Sequence, residues 1–344
     1  MKIDVCVDAP GKKTFLMGNE AIARGLIEGG IRVAAAYPGT PSTEIMETLV
    51  RAGGLLGIYT EWSVNEKVAA EVAIAASIMG LRSVVSMKGV GVNVASEPFQ
   101  AFTYMGAEGG IVLISADDPS CHSSHTEQDN RFFAREAYMP IFEPSDPQEA
   151  KEMARLAVIY SEEWHQPVLL RTTTAVSHSS SDVTLGKIES TGRKVNTNFN
   201  RQPVRWVNLP VNARRMRKEL ILRIQNISLC VENLQFNRLE GDDDAEYGIV
   251  TSGVAYNILK ECLGVLNLKK KVKLLKIGTS YPLPVKMVET FLSSVRRVLV
   301  IEELEPFVEM QITHIANRMP VPVPVFGKEF IPLCGELTLK DVID

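Results

Sequence analysis

Residues 31–66, IRVAAAYPGTPSTEIMETLVRAGGLLGIYTEWSVNE, decide the fold. A short apolar strand at 33–36 runs into the tight turn Tyr37-Pro38-Gly39-Thr40-Pro41. A helix over 42–52 follows, then a second apolar strand at 56–59 that delivers the chain to a helix opening with an acid, Glu66. Parallel strands that feed their helices through polar loops set those loops along one edge of the sheet, where ligands of such folds bind. The loops carrying Thr40 and Glu66 are therefore expected side by side at one rim.

Outward from this stretch, helical and strand patterns alternate up to about residue 175. Helices are expected at 19–28, 42–52, 65–79, 93–105, 128–136 and 147–163. Strands are expected near 33–36, 56–59, 83–87, 110–115, 140–142 and 168–171. Strands rich in Val, Ile and Leu without polar alternation suit a parallel sheet covered on both faces. Repeated strand–helix units make this an open, doubly wound domain. The rhythm breaks at 177–210, a polar segment rich in Ser, Thr and Asn that reads as an extended linker. Residues 211–234 read as an amphipathic helix with a basic opening of Arg214, Arg215, Arg217 and Lys218. Those charges suit either a phosphate-bearing partner or a solvated helix face.

After the acidic turn Gly241-Asp242-Asp243-Asp244 the rhythm resumes. Strands are expected at 247–250, 273–277, 297–301 and 323–326, with helices at 254–263, 284–293 and 307–317. The fold class is α/β, with two parallel-sheet domains, 14–176 and 246–344. They are joined by a segment, 177–245, that carries one helix.

Composition narrows the function. The 344 residues are 45% apolar and 23% charged, a globular balance with room for more than one core. A formal net charge of -4 argues against nucleic acid or an anionic membrane as the main partner. No apolar run approaches 18 residues, and MKIDVCVDAPGKKT lacks a signal-peptide core, so a soluble, cytoplasmic protein is expected. Cys6, Cys121, Cys230, Cys262 and Cys334 are scattered and odd in number, which suits reduced thiols. No CxxC spacing offers to hold an iron–sulfur cluster.

Three motifs imitate known sites. Gly89-Val90-Gly91 after a strand has the start of a dinucleotide fingerprint, but Val94 stands where its third small residue belongs. The segment Asp117-Asp118-Pro119-Ser120-Cys121-His122-Ser123-Ser124-His125 has a His-x-x-His spacing, read either as part of a zinc site or as a structured rim loop. Gly241-Asp242 with Asn267 imitates the Gly-Asp-Gly…Asn pattern that holds magnesium and diphosphate. Its third residue is Asp243, and it precedes its strand where it should follow one. No metal ligand is assigned.

Glu66 has two readings. Ser63-Val64-Asn65-Glu66 has the spacing of a capping box, in which the acid satisfies the helix N-terminus, worth about 1 kcal/mol. Alternatively, an acid at a ligand-binding edge, beside the turn carrying Thr40 and backed by an apolar helix, is a partly desolvated carboxylate. Such a group shares a proton with a heterocycle nitrogen.

YPGTPSTEI, EWSVNEKVAAEVAIAAS and VSMKGVGVNVASEPF resemble the pyrimidine-binding domain of indolepyruvate:ferredoxin oxidoreductase, large subunit. More distantly they resemble pyruvate:ferredoxin oxidoreductase. The resemblance continues through SADDPSCHSSHTEQDNR, GIVTSGVAYN, IGTSYPLP, VLVIEELEPFVE and PLCGELT, nearly the whole chain. It implies a second domain like the transketolase C-terminal one. It also implies a thiamine diphosphate enzyme that oxidatively decarboxylates aryl-2-oxoacids, with coenzyme A taking the acyl group and electrons passing through iron–sulfur clusters to ferredoxin.

By the same resemblance Glu66 bonds the aminopyrimidine ring nitrogen and so favours the imino tautomer of the exocyclic amine, the base of the reaction. Thr40 lies near the substrate carboxyl group, and Gly39, Lys88, Gly89, Gly91 and Asn93 lie beside the cofactor. Loop geometry is the other reading of Lys88, Gly89, Gly91 and Asn93, and Gly89 replaces a Gln expected after the lysine. Only the pyrimidine half of the cofactor site is present. The magnesium- and diphosphate-binding domain and the cysteine-rich ferredoxin-like domain are expected on further domains or partner chains, in a homo- or hetero-oligomer. The alternatives are a transketolase- or decarboxylase-like component and a non-catalytic scaffold subunit.

Overall fold

The computed structural model describes residues 4–189, 199–242, 244–268 and 271–344. Residues 1–3 of the N-terminus, 190–198 of the expected linker, and Asp243 of the acidic turn lie outside the described residues. The strands in the first half are β1 (Lys13–Met17), β2 (Val33–Ala36), β3 (Tyr59–Trp62), β4 (Ser83–Lys88), β5 (Ile111–Asp117), β6 (Ile141–Phe142) and β7 (Val168–Thr173). Those in the second are β8 (Ser180–Thr184), β9 (Arg238–Gly241), β10 (Tyr247–Ser252), β11 (Val272–Ile277), β12 (Thr279–Tyr281), β13 (Arg297–Ile301) and β14 (Val325–Phe326). They form a seven-stranded sheet in the order β12-β6-β7-β5-β4-β2-β3, a five-stranded sheet β14-β13-β10-β11-β9, and the antiparallel pair β1-β8.

The near-continuous apolar strands behave as their composition requires. β2, β5 and β7 are buried along their whole length, because helices cover both faces of the sheet. Ala34, Val84, Val112 and Ile114 face one layer, packing with Ile22, Leu26, Ile45, Leu49 and Ala154. Ala35, Val85, Met87 and Leu113 face the other, with Ala69, Ala73, Phe99 and Phe102. That second core runs on without a break into Val250, Leu275, Phe291 and Phe307 around the five-stranded sheet. The two sheets thus share one apolar interior.

The elements depart from expectation in four places. The helix expected over 42–52 continues to Leu56 and ends where Gly57 takes a left-handed φ of 67°, so the next strand begins at Tyr59. Part of the expected linker is ordered, since β8 pairs with β1. β9 precedes the acidic turn and pairs antiparallel with β11. β12, from the later part of the chain, pairs antiparallel with β6 and becomes the edge of the seven-stranded sheet. The linker helix spans Pro210–Cys230. On it Arg217 lies 4.2 Å over the Tyr138 ring and Arg215 pairs with Glu219, so these two charges are occupied within the chain.

A buried ionic cluster ties the sheets together. Arg131 bonds Asp129, the Glu302 carboxylate at 2.6 Å and the Glu303 carbonyl at 2.9 Å, while Arg171 bonds Asp117 and Glu143, each at 2.6 Å. Burial pushes the Asp129 carboxyl up, but Arg131 and Arg171 outweigh it and hold it below its usual range. For Glu302 burial wins and the carboxyl is raised despite Arg131. Burial likewise pushes Glu303 up to about 7, against the amide of Leu337, which donates to it at 3.1 Å.

The sign of the Glu303 effect follows. The fold binds this proton more tightly than the unfolded chain, whose glutamate titrates near 4.5. The Glu303 contribution to stability is therefore lost as pH rises from about 4.5 to about 7, and stays lost above it. Glu303→Gln is expected to melt higher than the wild type at pH 8, by at most about 3 kcal/mol in stability, with the gap closing toward pH 4.5. Thermal melts at the two ends of that range check it. A variant melting lower at pH 8 would mean that the ionised carboxylate is what the fold requires.

Candidate functional site

The strand order sets the site. β4, β2 and β3 are neighbours and parallel, with Ala36 opposite both Trp62 and Ser86. Their carboxyl ends lead into three loops: 37–42 after β2, 63–65 after β3, and the single turn Gly89–Gly91 after β4. The expected rim is therefore formed, with the Thr40 loop flanked by those that carry Glu66 and Gly91.

Glu66 opens the helix Glu66–Ile78, but the cap is Asn65, whose side chain accepts the Val68 amide at 2.9 Å. Ser63 is turned away, donating to Glu61 at 2.8 Å. The capping-box reading is thereby corrected: Asn65 fills the role given to Ser63, and Glu66 is left without capping work. Its half-buried carboxylate has no hydrogen-bond or ion-pair partner among the described residues. It lies at the N-terminal end of its helix.

Gly91 faces this carboxylate. A Cβ placed on Gly91 would meet Glu66 Oε1 at 2.6 Å and Cγ at 2.8 Å, so the absent side chain is what lets the two loops close. Gly89 is buried, and its carbonyl accepts from Asn130 Nδ2 at 3.0 Å. Lys88 lays its aliphatic chain on Gly39 and reaches the Ser123 carbonyl at 3.4 Å. Asn93 is exposed and donates to Gln128 at 3.1 Å. Thr40 is exposed as well. Its carbonyl accepts from Ser123 Oγ at 2.8 Å, while its hydroxyl makes no hydrogen bond within the described residues.

The turn before Thr40 is pinned at both ends. Thr43 Oγ1 accepts the Gly39 amide at 2.9 Å, and Ser42 Oγ donates to the Gly39 carbonyl at 2.7 Å. The rim loop after β5 is organised by Asp118, which accepts the amides of His122, Ser123 and Ser124 and the Thr174 hydroxyl. Burial raises the Asp118 carboxyl, yet these hydrogen bonds outweigh it and leave the group below its usual range. His122 pairs with Glu336 at 3.2 Å. Among the described residues no group of three or more His, Cys, Asp or Glu side chains is placed to hold a metal ion. Gly241-Asp242 closes β9, where Asp242 donates its amide to the Val272 carbonyl.

The arrangement matches a nitrogen heterocycle that needs a proton partner. It offers an acid without a partner among the described residues, a glycine that opens space beside it, and exposed apolar side chains on the loops and on the strand and helix that adjoin them. Tyr37, Trp62, Val64 and Val94 are 40%, 40%, 80% and 46% exposed. Sequence reasoning missed what lies beneath: Asp117 and Arg171, charges within the otherwise apolar strands IVLISAD and VLLRTT, and Asn130 and Arg131 of the adjoining helix. A charge inside an apolar strand was the signal available.

The likenesses to known proteins agree with this geometry. The family model for pyruvate flavodoxin/ferredoxin oxidoreductase, thiamine diphosphate-binding, matches residues 24–218. The indolepyruvate oxidoreductase subunit IorA of Thermococcus kodakarensis is 42% identical over 340 residues, covering 98% of this chain and 52% of the relative. The IorA subunit of Archaeoglobus fulgidus is 46% identical over 314 residues, 90% of this chain and 50% of the relative. The chain thus spans about half the length of the curated relatives it matches. A 2-oxoglutarate:ferredoxin oxidoreductase from Magnetococcus marinus, solved with 2-oxoglutarate, coenzyme A and succinyl-CoA, superposes with a TM-score of 0.79. It is 18% identical and is covered over 64% of its chain, against 96% of this one, which makes the likeness one of fold. The expectation drawn from YPGTPSTEI and the motifs that follow it holds, and the chain belongs to the thiamine diphosphate-binding pyruvate flavodoxin/ferredoxin oxidoreductase family.

Proposed function

We propose that this chain supplies the pyrimidine-binding half of a thiamine diphosphate site in a 2-oxoacid:ferredoxin oxidoreductase of the indolepyruvate type. The overall reaction takes an aryl-2-oxoacid and coenzyme A to the acyl thioester and carbon dioxide, and the electron pair released passes to ferredoxin. The observation that carries the reading is Glu66, an acid at the ligand-binding edge with no partner among the described residues and no capping role. The names of the relatives, at 42% and 46% identity, support the aryl-2-oxoacid as substrate.

When bound, the cofactor supplies the nucleophilic carbon that attacks the oxoacid carbonyl. Glu66 is the group that holds and shares a proton with the ring nitrogen, and Gly91 keeps its carboxylate free of steric contact. Gly39, Lys88 and Gly89 shape the loops on either side. On this reading Asn93 lines the outer lip, and the Thr40 hydroxyl, which makes no hydrogen bond within the described residues, donates to a substrate carboxylate. Magnesium, the diphosphate and the iron–sulfur clusters fall, on this reading, to residues other than these 344. The apolar rim of Tyr37, Trp62, Val64 and Val94 is then the surface that the complementary domain or subunit covers. No described helix is long and apolar enough to cross a membrane. The five free cysteines suit the reducing cytoplasm, where we place the enzyme.

Glu66→Gln in the assembled enzyme is expected to lower turnover roughly 100-fold or more while leaving the melting temperature nearly unchanged. Because Asn65 caps the helix, a normal rate in this variant would remove the catalytic reading altogether. Gly91→Ala is expected to displace the Glu66 carboxylate and weaken thiamine diphosphate binding, with a rate loss on the order of 100-fold for a shift near 1 Å. Calorimetry with the cofactor and steady-state rates measure both effects. Purified by itself, the chain is expected to bind thiamine diphosphate with magnesium poorly, because charge-assisted contacts to diphosphate and metal are the strong ones. Micromolar binding by the lone chain would assign it more of the site than the pyrimidine half.

A further inference from the structure

Asn130 is buried at 3% exposure, in the first turn of the helix Asn130–Glu136. Its amide nitrogen meets three oxygens: the Gly89 carbonyl at 3.0 Å, Ser115 Oγ at 2.9 Å and Asp117 Oδ1 at 2.6 Å. The carboxylate fixes the orientation of the amide, since a flipped oxygen would face Asp117. Asp117 is itself held, accepting the Asn130 amide at 3.2 Å and Arg171 Nε at 2.6 Å through its second oxygen.

Gly89 is fitted to this clamp: a Cβ there would lie 3.0 Å from Asp117 Oδ1 and 3.2 Å from Asn130 Nδ2. From Gly89 a single helical turn leads to Gly91, whose vacant Cβ position abuts Glu66. The contacts form one line, from Arg171 through Asp117, Asn130 and Gly89 to Gly91 and Glu66.

Resting on the reading of Glu66 above, we propose that Asn130 is a positioning residue of the cofactor site, which sets the Gly89–Gly91 turn against the Glu66 carboxylate by clamping the Gly89 carbonyl. The position requires donors. An aspartate would bring a second carboxylate against Asp117, and an alanine would leave the buried Gly89 carbonyl with the Val92 amide as its one remaining donor among the described residues, with nothing tying it to the neighbouring strand. Neighbouring Arg131 bonds Glu302 beside β13, so one helical turn grips the catalytic loop with one residue and the second sheet with the next.

The test compares Asn130→Ala with Ser115→Ala, which removes another partner of the same amide and leaves the Gly89 bond in place. Amide hydrogen exchange over residues 89–95 is read on the chain itself. Thiamine diphosphate affinity and kcat/KM are read on the assembled enzyme. Asn130→Ala is expected to speed exchange in that segment, weaken the cofactor about 10-fold and lower kcat/KM about 100-fold. Ser115→Ala is expected to lose thermal stability with rate and affinity within about 3-fold of the wild type. Should Asn130→Ala fail to assemble, Asn130→Ser, which keeps one donor, is read in the same way. Unchanged exchange, or full rate and affinity in the Asn130 variant, overturns the proposal and leaves the residue a packing element. Full activity in Glu66→Gln sinks the reading of the site, and this proposal with it. Loss in Glu66→Gln beside full activity in Asn130→Ala sinks the proposal alone.

Discussion

The contact between Arg131 and Glu302 is the constraint on which the relation of the two sheets depends. Two buried guanidiniums, Arg131 and Arg171, face four carboxylates, Asp117, Asp129, Glu143 and Glu302. Each ion has lost water, and only mutual contact offsets that cost. Glu302 also caps the helix Phe307–Ala316 by accepting the amides of Val308 and Glu309. The same acid thus fixes an element of the second sheet and a residue of the first. An apolar core alone would tolerate sliding, because apolar burial is not directional. The charges give it a register.

Register at that cluster becomes position at the rim. Asp117 stands on β5, the strand beside β4, whose end is the Gly89–Gly91 turn, and Arg171 stands on β7, the next strand beyond β5. The turn lies between the ionic cluster and Glu66, held on one side by Asn130 and limited on the other by the carboxylate. A protein interior transmits small displacements because it is close-packed.

Much of this was legible in the residues. Val33–Ala36, SVVSMK and IVLISAD are apolar without alternation, which only a sheet covered on both faces explains, and the rim follows from the strand–loop–helix order. The edges were not legible, because edge strands lack that signature. β3 is half exposed and reads YTEW, and the helix before it runs through Gly53 and Gly54, where propensity argues for a stop. β1 and β8 pair only with each other, and β12 is three residues long, too short for a period. At the site, Glu66 and Gly91 were named from the sequence as candidates, and the cap was not. Ser63 and Asn65 both have capping side chains, and only the backbone decides which of them sits one residue before the helix. Asn130 carried no pattern at all, since its meaning lies in Gly89, which is 41 residues away in sequence.

A site of this form makes chemical sense only as part of something larger. Glu66 is half exposed, so water competes for its carboxylate. Covering the rim would exclude that water and so strengthen the bond to a ring nitrogen, since a hydrogen bond is stronger where the local dielectric is lower. The exposed side chains of Trp62, Val64 and Val94 are what such a cover would bury, at about 25 cal/mol for each Å² removed from water. On the proposed reading, assembly and activation are then one event. The chain brings a positioned acid and a clamped turn, and the surface that closes over them shields their hydrogen bonds from water.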